Sequence, residues 1–132
     1  MEKLSEGQQE LFRGRNYAQL ATICPDGHPA VSPVWIDLED GYIAINSAEG
    51  RLKVENMRRD PRVGISVFDM EDPYRMVSVR GRVVEMTHEG ADEHIDALAK
   101  KYLGVDRYPG HQPGETRVKM RIEPEIVAGM RT

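Results

Sequence analysis

The stretch Arg75-Met76-Val77-Ser78-Val79-Arg80-Gly81-Arg82-Val83-Val84-Glu85-Met86 alternates polar and apolar side chains over most of its length. A period of two suits an extended strand and does not suit a helix. Gly81 in its middle predicts a bulge or a close approach by another backbone. Five further runs carry strand character: Tyr17–Cys24, Pro29–Asp37, Tyr42–Asn46, Val63–Phe68 and Arg117–Ile122. Pro25-Asp26-Gly27-His28 and Glu39-Asp40-Gly41 have the chemistry of tight turns. The first three strands are therefore expected to form an antiparallel meander. Pro29 and Pro33 place its second strand at an edge or across a bulge, because proline cannot donate to a ladder. The tail from Glu123 to Thr132 is open between a further strand and a loose end.

Three helices interrupt this pattern. Ser5 and Gln8 form a capping-box signature that predicts a helix over 5–13. A second helix is expected at about 50–58, with Ser47 as N-cap and a stop at Asp60-Pro61, and a third at about 88–102. In the third, Ala91, Ile95, Leu98, Ala99 and Tyr102 fall on one face, acids come early and Lys100-Lys101 come late. Strands dominate and helices are inserts, so the chain reads as a single mainly β domain.

The 132 residues leave little room for a second core. With 39% hydrophobic and 30% charged residues and no long apolar run, the composition is that of a globular protein, not of a membrane span. The polar, acidic start Met1-Glu2-Lys3-Leu4-Ser5-Glu6 has no apolar secretion signal, so cytoplasmic residence is expected. A net charge of -4 disfavours nucleic acid as a partner. One cysteine, Cys24, allows no internal disulfide, and it reads as an inert small hydrophobe.

The stretch from Asn46 to Asn56 concentrates the candidate chemistry. A strand there hands over to a helix start whose backbone N–H groups, together with Arg51, Lys53 and Asn56, suit an anion, phosphate above all. Spacing alone leaves a second reading open, in which these are solvated surface charges. Trp35, the single tryptophan, is open between a core or dimer-interface residue and a wall for a flat ring. The histidines His28, His88, His94 and His111 lack metal-ligand spacing, so no metal site is expected and all four are placed at the surface. No G-x-S-x-G elbow, Walker motif or Rossmann fingerprint occurs. Redox chemistry carried by a bound cofactor remains compatible with that lack of an acid/base constellation.

Three motifs in order, Leu20-Ala21-Thr22 with Asp26-Gly27-His28-Pro29 and Pro33-Val34-Trp35, then Asn46-Ser47 through Arg51, Lys53 and Asn56 to Asp60-Pro61-Arg62-Val63, then Val79-Arg80-Gly81-Arg82-Val83, carry a family likeness. The chain resembles the pyridoxamine 5'-phosphate oxidase-like superfamily, and within it the small F420-dependent reductases. The resemblance implies a six-stranded antiparallel split β-barrel with flanking helices, a homodimer with cofactor at the subunit interface, and hydride transfer between coenzyme F420 and a small reducible substrate. It further implies that Arg51, Lys53, Asn56 and Ser47 bind the cofactor phosphate and that Pro33, Val34 and Trp35 border its ring. Flavin mononucleotide is the alternative cofactor, with Arg80 as an added phosphate ligand, and a non-catalytic cofactor carrier is the alternative role. Tyr108 or His111 is a possible source of any proton.

Overall fold

A computed structural model describes residues 1–132. In chain order the elements are α1 (Glu6–Arg13), β1 (Ala18–Ile23), β2 (Pro29–Val34), β3 (Asp37–Glu39), β4 (Tyr42–Ala48), α2 (Leu52–Arg59), β5 (Arg62–Phe68), β6 (Met76–Thr87), α3 (Ala91–Leu103) and β7 (Arg117–Met130). The seven strands form one antiparallel sheet in the order β2-β1-β5-β6-β7-β4-β3. The expected meander does not form. The run Pro29–Asp37 breaks at Trp35-Ile36, and its two halves lie at opposite edges of the sheet. That break makes seven strands where six were expected. It also explains the prolines: β2 is an edge strand, where a missing N–H costs no ladder bond.

The tail is a strand. Residue 122 is only the midpoint of β7, which runs on to pair with β6 as far as Met76 opposite Met130. Pro124 obscures this in the sequence, but it stands opposite Gly81 at a register shift, where an absent donor is tolerated. Gly81 is there for a steric reason as well. A Cβ on it would lie 2.8 Å from Ile122 Cγ2 and 2.9 Å from the Glu123 carbonyl oxygen.

Leu20, Ile65, Val79, Ile43, Met120 and Ile122 from across the sheet join a single buried cluster, so the sheet must curl around it. Leu11 and Phe12 of α1 and Val54 and Met57 of α2 complete that core. The α1 start has the expected capping box, Ser5 to Gln8 and back. On the other side α3 presents Ile95, Leu98 and Tyr102 to a satellite cluster with Trp35 and Tyr108. Between these two clusters lies a cleft.

Candidate functional site

The cleft, of about 270 Å³, opens between β2, the start of α2, α3 and the first residue of β7. One end is cationic. Arg51 and Lys53 reach it beside the buried Ser47. Neither cation lies within salt-bridge distance of a carboxylate. Glu49, close by in sequence, is engaged by Arg58 and His88 instead. Burial, and secondarily the charge of Arg51, hold Lys53 below the ordinary lysine value. Two uncompensated cations sharing one hollow repel each other, and an anion between them would relieve that repulsion.

The local backbone adds to this. Ser47 is not the N-cap of α2: it lies within β4, and Arg51 takes the cap position with no side-chain hydrogen bond to the first turn. The leading N–H groups of α2 are thereby left for a ligand or solvent, next to the two cations.

The other end is aromatic. Trp35 stacks on Tyr102 with an interplanar angle of 6° at 5.2 Å, and Tyr108 meets its edge at 5.8 Å. Pro33, Val34, Tyr17, Ile95 and Leu98 add apolar surface. The indole is thus braced by α3 on one side and presented to the cleft from the irregular link between β2 and β3. A flat, largely apolar body ending in an anion matches this layout, with the anion at α2 and the body against Trp35.

Six of the eight residues singled out in the sequence, Pro33, Val34, Trp35, Ser47, Arg51 and Lys53, line this one cleft. Asn56 does not. It is fully buried, donating to Thr22 Oγ1 at 3.0 Å and Cys24 Sγ at 3.6 Å and accepting from Arg59 at 3.0 Å. Three residues past Lys53 the same helix face has turned under the sheet, so the Asn56 amide anchors α2 to β1 and is closed to a ligand. Arg80 is also elsewhere: it is exposed on β6, beside a separate hollow with Arg62, Gly64 and Ile126.

The sequence reading missed Asn46 and Arg117 as cleft residues. Arg117 was unreadable because the strand that carries it is brought to β4 only by long-range pairing, Ala48 opposite Arg117. Of the two loop residues, Tyr108 lines the cleft, while His111 stands behind it, bonded to Asp96 at 2.9 Å.

His94 corrects the expectation that all histidines are at the surface: its side chain is 7% exposed. It lies with Asp37 and Glu39 in a group whose ligand atoms fall within 4.8 Å of one another. Both ring nitrogens are already engaged, Nε2 by Asp37 at 3.2 Å and Nδ1 by Asn46 at 3.0 Å, while Glu39 accepts from Lys119 at 3.1 Å. Protein partners thus close this cluster.

Comparison with known proteins agrees with this architecture. The pyridoxamine 5'-phosphate oxidase family model matches residues 4–130. Among solved structures the chain is similar to an F420 reductase, with 28% identity over 95% of this chain and 98% of that one and a TM-score of 0.82. A conserved hypothetical protein from Mycobacterium tuberculosis shares 25% identity over 98% and 89% of the two chains, with a TM-score of 0.75. A FAD-binding protein from Mesorhizobium loti shares 25% over 97% and 95%, with a TM-score of 0.67. With the curled antiparallel sheet and flanking helices described above, the chain belongs to the pyridoxamine 5'-phosphate oxidase family.

Proposed function

We propose that the protein is an oxidoreductase that binds coenzyme F420 in this cleft and uses it to reduce a small organic substrate. The observation that carries the reading is the pairing of two carboxylate-free cations with an aromatic wall in one hollow. Arg51, Lys53 and the uncapped first turn of α2 would hold the cofactor phosphate, and Ser47 would add a hydroxyl. Pro33, Val34 and Trp35 would border the ring. When bound and reduced, the cofactor supplies the hydride. The protein's own contribution is to fix the ring, keep water from it with Trp35, Tyr108, Ile95 and Leu98, and leave one ring face open to a substrate.

The likeness to an F420 reductase favours F420 over flavin mononucleotide. A flavin reading draws on the FAD-binding neighbour and on Arg80, which lies outside the cleft and would reach a cofactor only if a second copy brought it there. The outer surface around Arg80 also exposes Val31 and Ile126. We take that surface to be the homodimer contact, a state that sedimentation would report directly.

The test is Lys53→Ala. It should weaken F420 binding by about 1.5–3 kcal/mol, the scale of a charge-assisted hydrogen bond. An unchanged dissociation constant would return Lys53 to the status of a surface charge.

A further inference from the structure

Arg117 is 6% exposed, yet it borders the cleft. Its Nε donates to Asn46 Oδ1 at 2.9 Å and its Nη1 to Glu115 Oε1 at 3.0 Å, and its guanidinium lies over the Tyr108 ring at 5.2 Å from the centroid. The other terminal nitrogen, Nη2, has no hydrogen-bond partner in the chain and remains open to solvent. A mostly buried guanidinium that keeps one accessible donor beside the Tyr108 ring is a ligand contact in waiting, because an acceptor placed there has only water to displace.

The surroundings say which kind of acceptor it takes. Glu115, 11% exposed, already balances the charge of Arg117. A carboxylate or phosphate placed there would also face Glu115, whose repulsion offsets the attraction of Arg117. A neutral carbonyl oxygen needs only the donor, and the adjacent aromatic surface asks for a flat body to carry it.

Behind Arg117 stands a chain that fixes its direction. Asn46 Nδ2 donates to the Ala91 carbonyl at 2.9 Å and to His94 Nδ1 at 3.0 Å, which leaves Oδ1 to receive Arg117. Because Nδ1 of His94 accepts, its Nε2–H donates to Asp37. Turning the Asn46 amide over would set its NH2 against the Arg117 Nε–H and its oxygen against the Ala91 carbonyl, so a single orientation satisfies every group.

We propose that Arg117 donates a hydrogen bond to a ring carbonyl of the bound cofactor, and that Asn46 and His94 are positioning residues that aim it. This rests on the cofactor reading above and adds a contact beside the Tyr108 ring.

The experiment is a set of F420 titrations of the full-length protein, following both affinity and the absorption band of the bound ring. The double variant Arg117→Met/Glu115→Gln removes the donor edge without burying an unpaired carboxylate. It should bind F420 about tenfold to a hundredfold more weakly, with a displaced ring band. Arg117→Lys, which keeps a cation and a donor, should recover part of both. Asn46→Leu, which takes away the acceptor of the Arg117 Nε–H, should move the band as well. Lys53→Ala should lower affinity with no displacement of the band. If the double variant, shown folded by its thermal melt, binds with wild-type affinity and an unmoved band, the proposal fails while the phosphate reading stands. If the wild type binds no F420, both fail together.

Discussion

Tyr102 holds Trp35 from behind: the two rings lie 5.2 Å apart and nearly parallel, and the Tyr102 hydroxyl takes the N–H of Ile36, the residue after Trp35. The same hydroxyl donates to the Asn16 carbonyl at 2.6 Å. One side chain of α3 thereby sets the path of the link between β2 and β3 and with it the wall of the cleft. Tyr102→Phe keeps the stack but orphans the buried Ile36 N–H. It should cost about 1–3 kcal/mol of stability, read by urea denaturation, with the indole still facing the cleft.

Lys101 and Tyr102 make a pH prediction together. Lys101 donates to the carbonyls of Phe12 and Ile36, and burial pushes it down to about 8, with Asp37 opposing. Burial pushes Tyr102 up to about 12. Below about 8, Lys101 is charged in both states and contributes no slope. From there to the ordinary lysine value of 10.5 the folded chain has lost a proton that the unfolded chain keeps, so stability rises with pH. Above the ordinary tyrosine value of 10.0 the unfolded chain gives up the Tyr102 proton first, so stability falls. Denaturation of wild type and Lys101→Met across this range should show the rise in the wild type alone; a rise that survives in the variant assigns it to other groups.

Asn56 separates anchoring from ligand contact. Its amide serves Thr22, Cys24 and Arg59 inside the protein. Asn56→Ala should therefore lower stability by about 1–3 kcal/mol and leave cofactor affinity close to wild type at temperatures where the variant is folded. A large affinity loss with unchanged stability would reinstate Asn56 as a ligand contact.

Gly81→Ala tests the bulge. The added methyl would be driven against the Glu123 carbonyl oxygen, a backbone atom that cannot turn aside. A destabilisation of about 1–3 kcal/mol is expected, measured by thermal or urea melts.

Local signals were readable in the sequence where they were self-contained. The Ser5–Gln8 cap and the period-two run containing Gly81 emerge where expected, and Arg51 and Lys53 share the start of α2, because each depends on residues a few positions apart. What escaped depends on partners far along the chain. The break at Trp35-Ile36 sends β3 to the far edge of the sheet, and only β4 and β7 waiting there decide it. The burial of His94 needs Asp37 and Asn46, more than fifty and nearly fifty residues away respectively. A spacing of three residues between Lys53 and Asn56 carries no information on how soon the helix face meets β1.

The most direct measurement is a parallel titration of the purified protein with F420 and with flavin mononucleotide, following cofactor fluorescence and the emission of Trp35, the one tryptophan. Saturable binding of F420 in the micromolar range or tighter is expected, stronger than that of flavin mononucleotide, with the Trp35 emission changing at the same midpoint. Preference for flavin mononucleotide would contradict the choice of cofactor, and binding of neither would contradict the assignment of this cleft as a cofactor site.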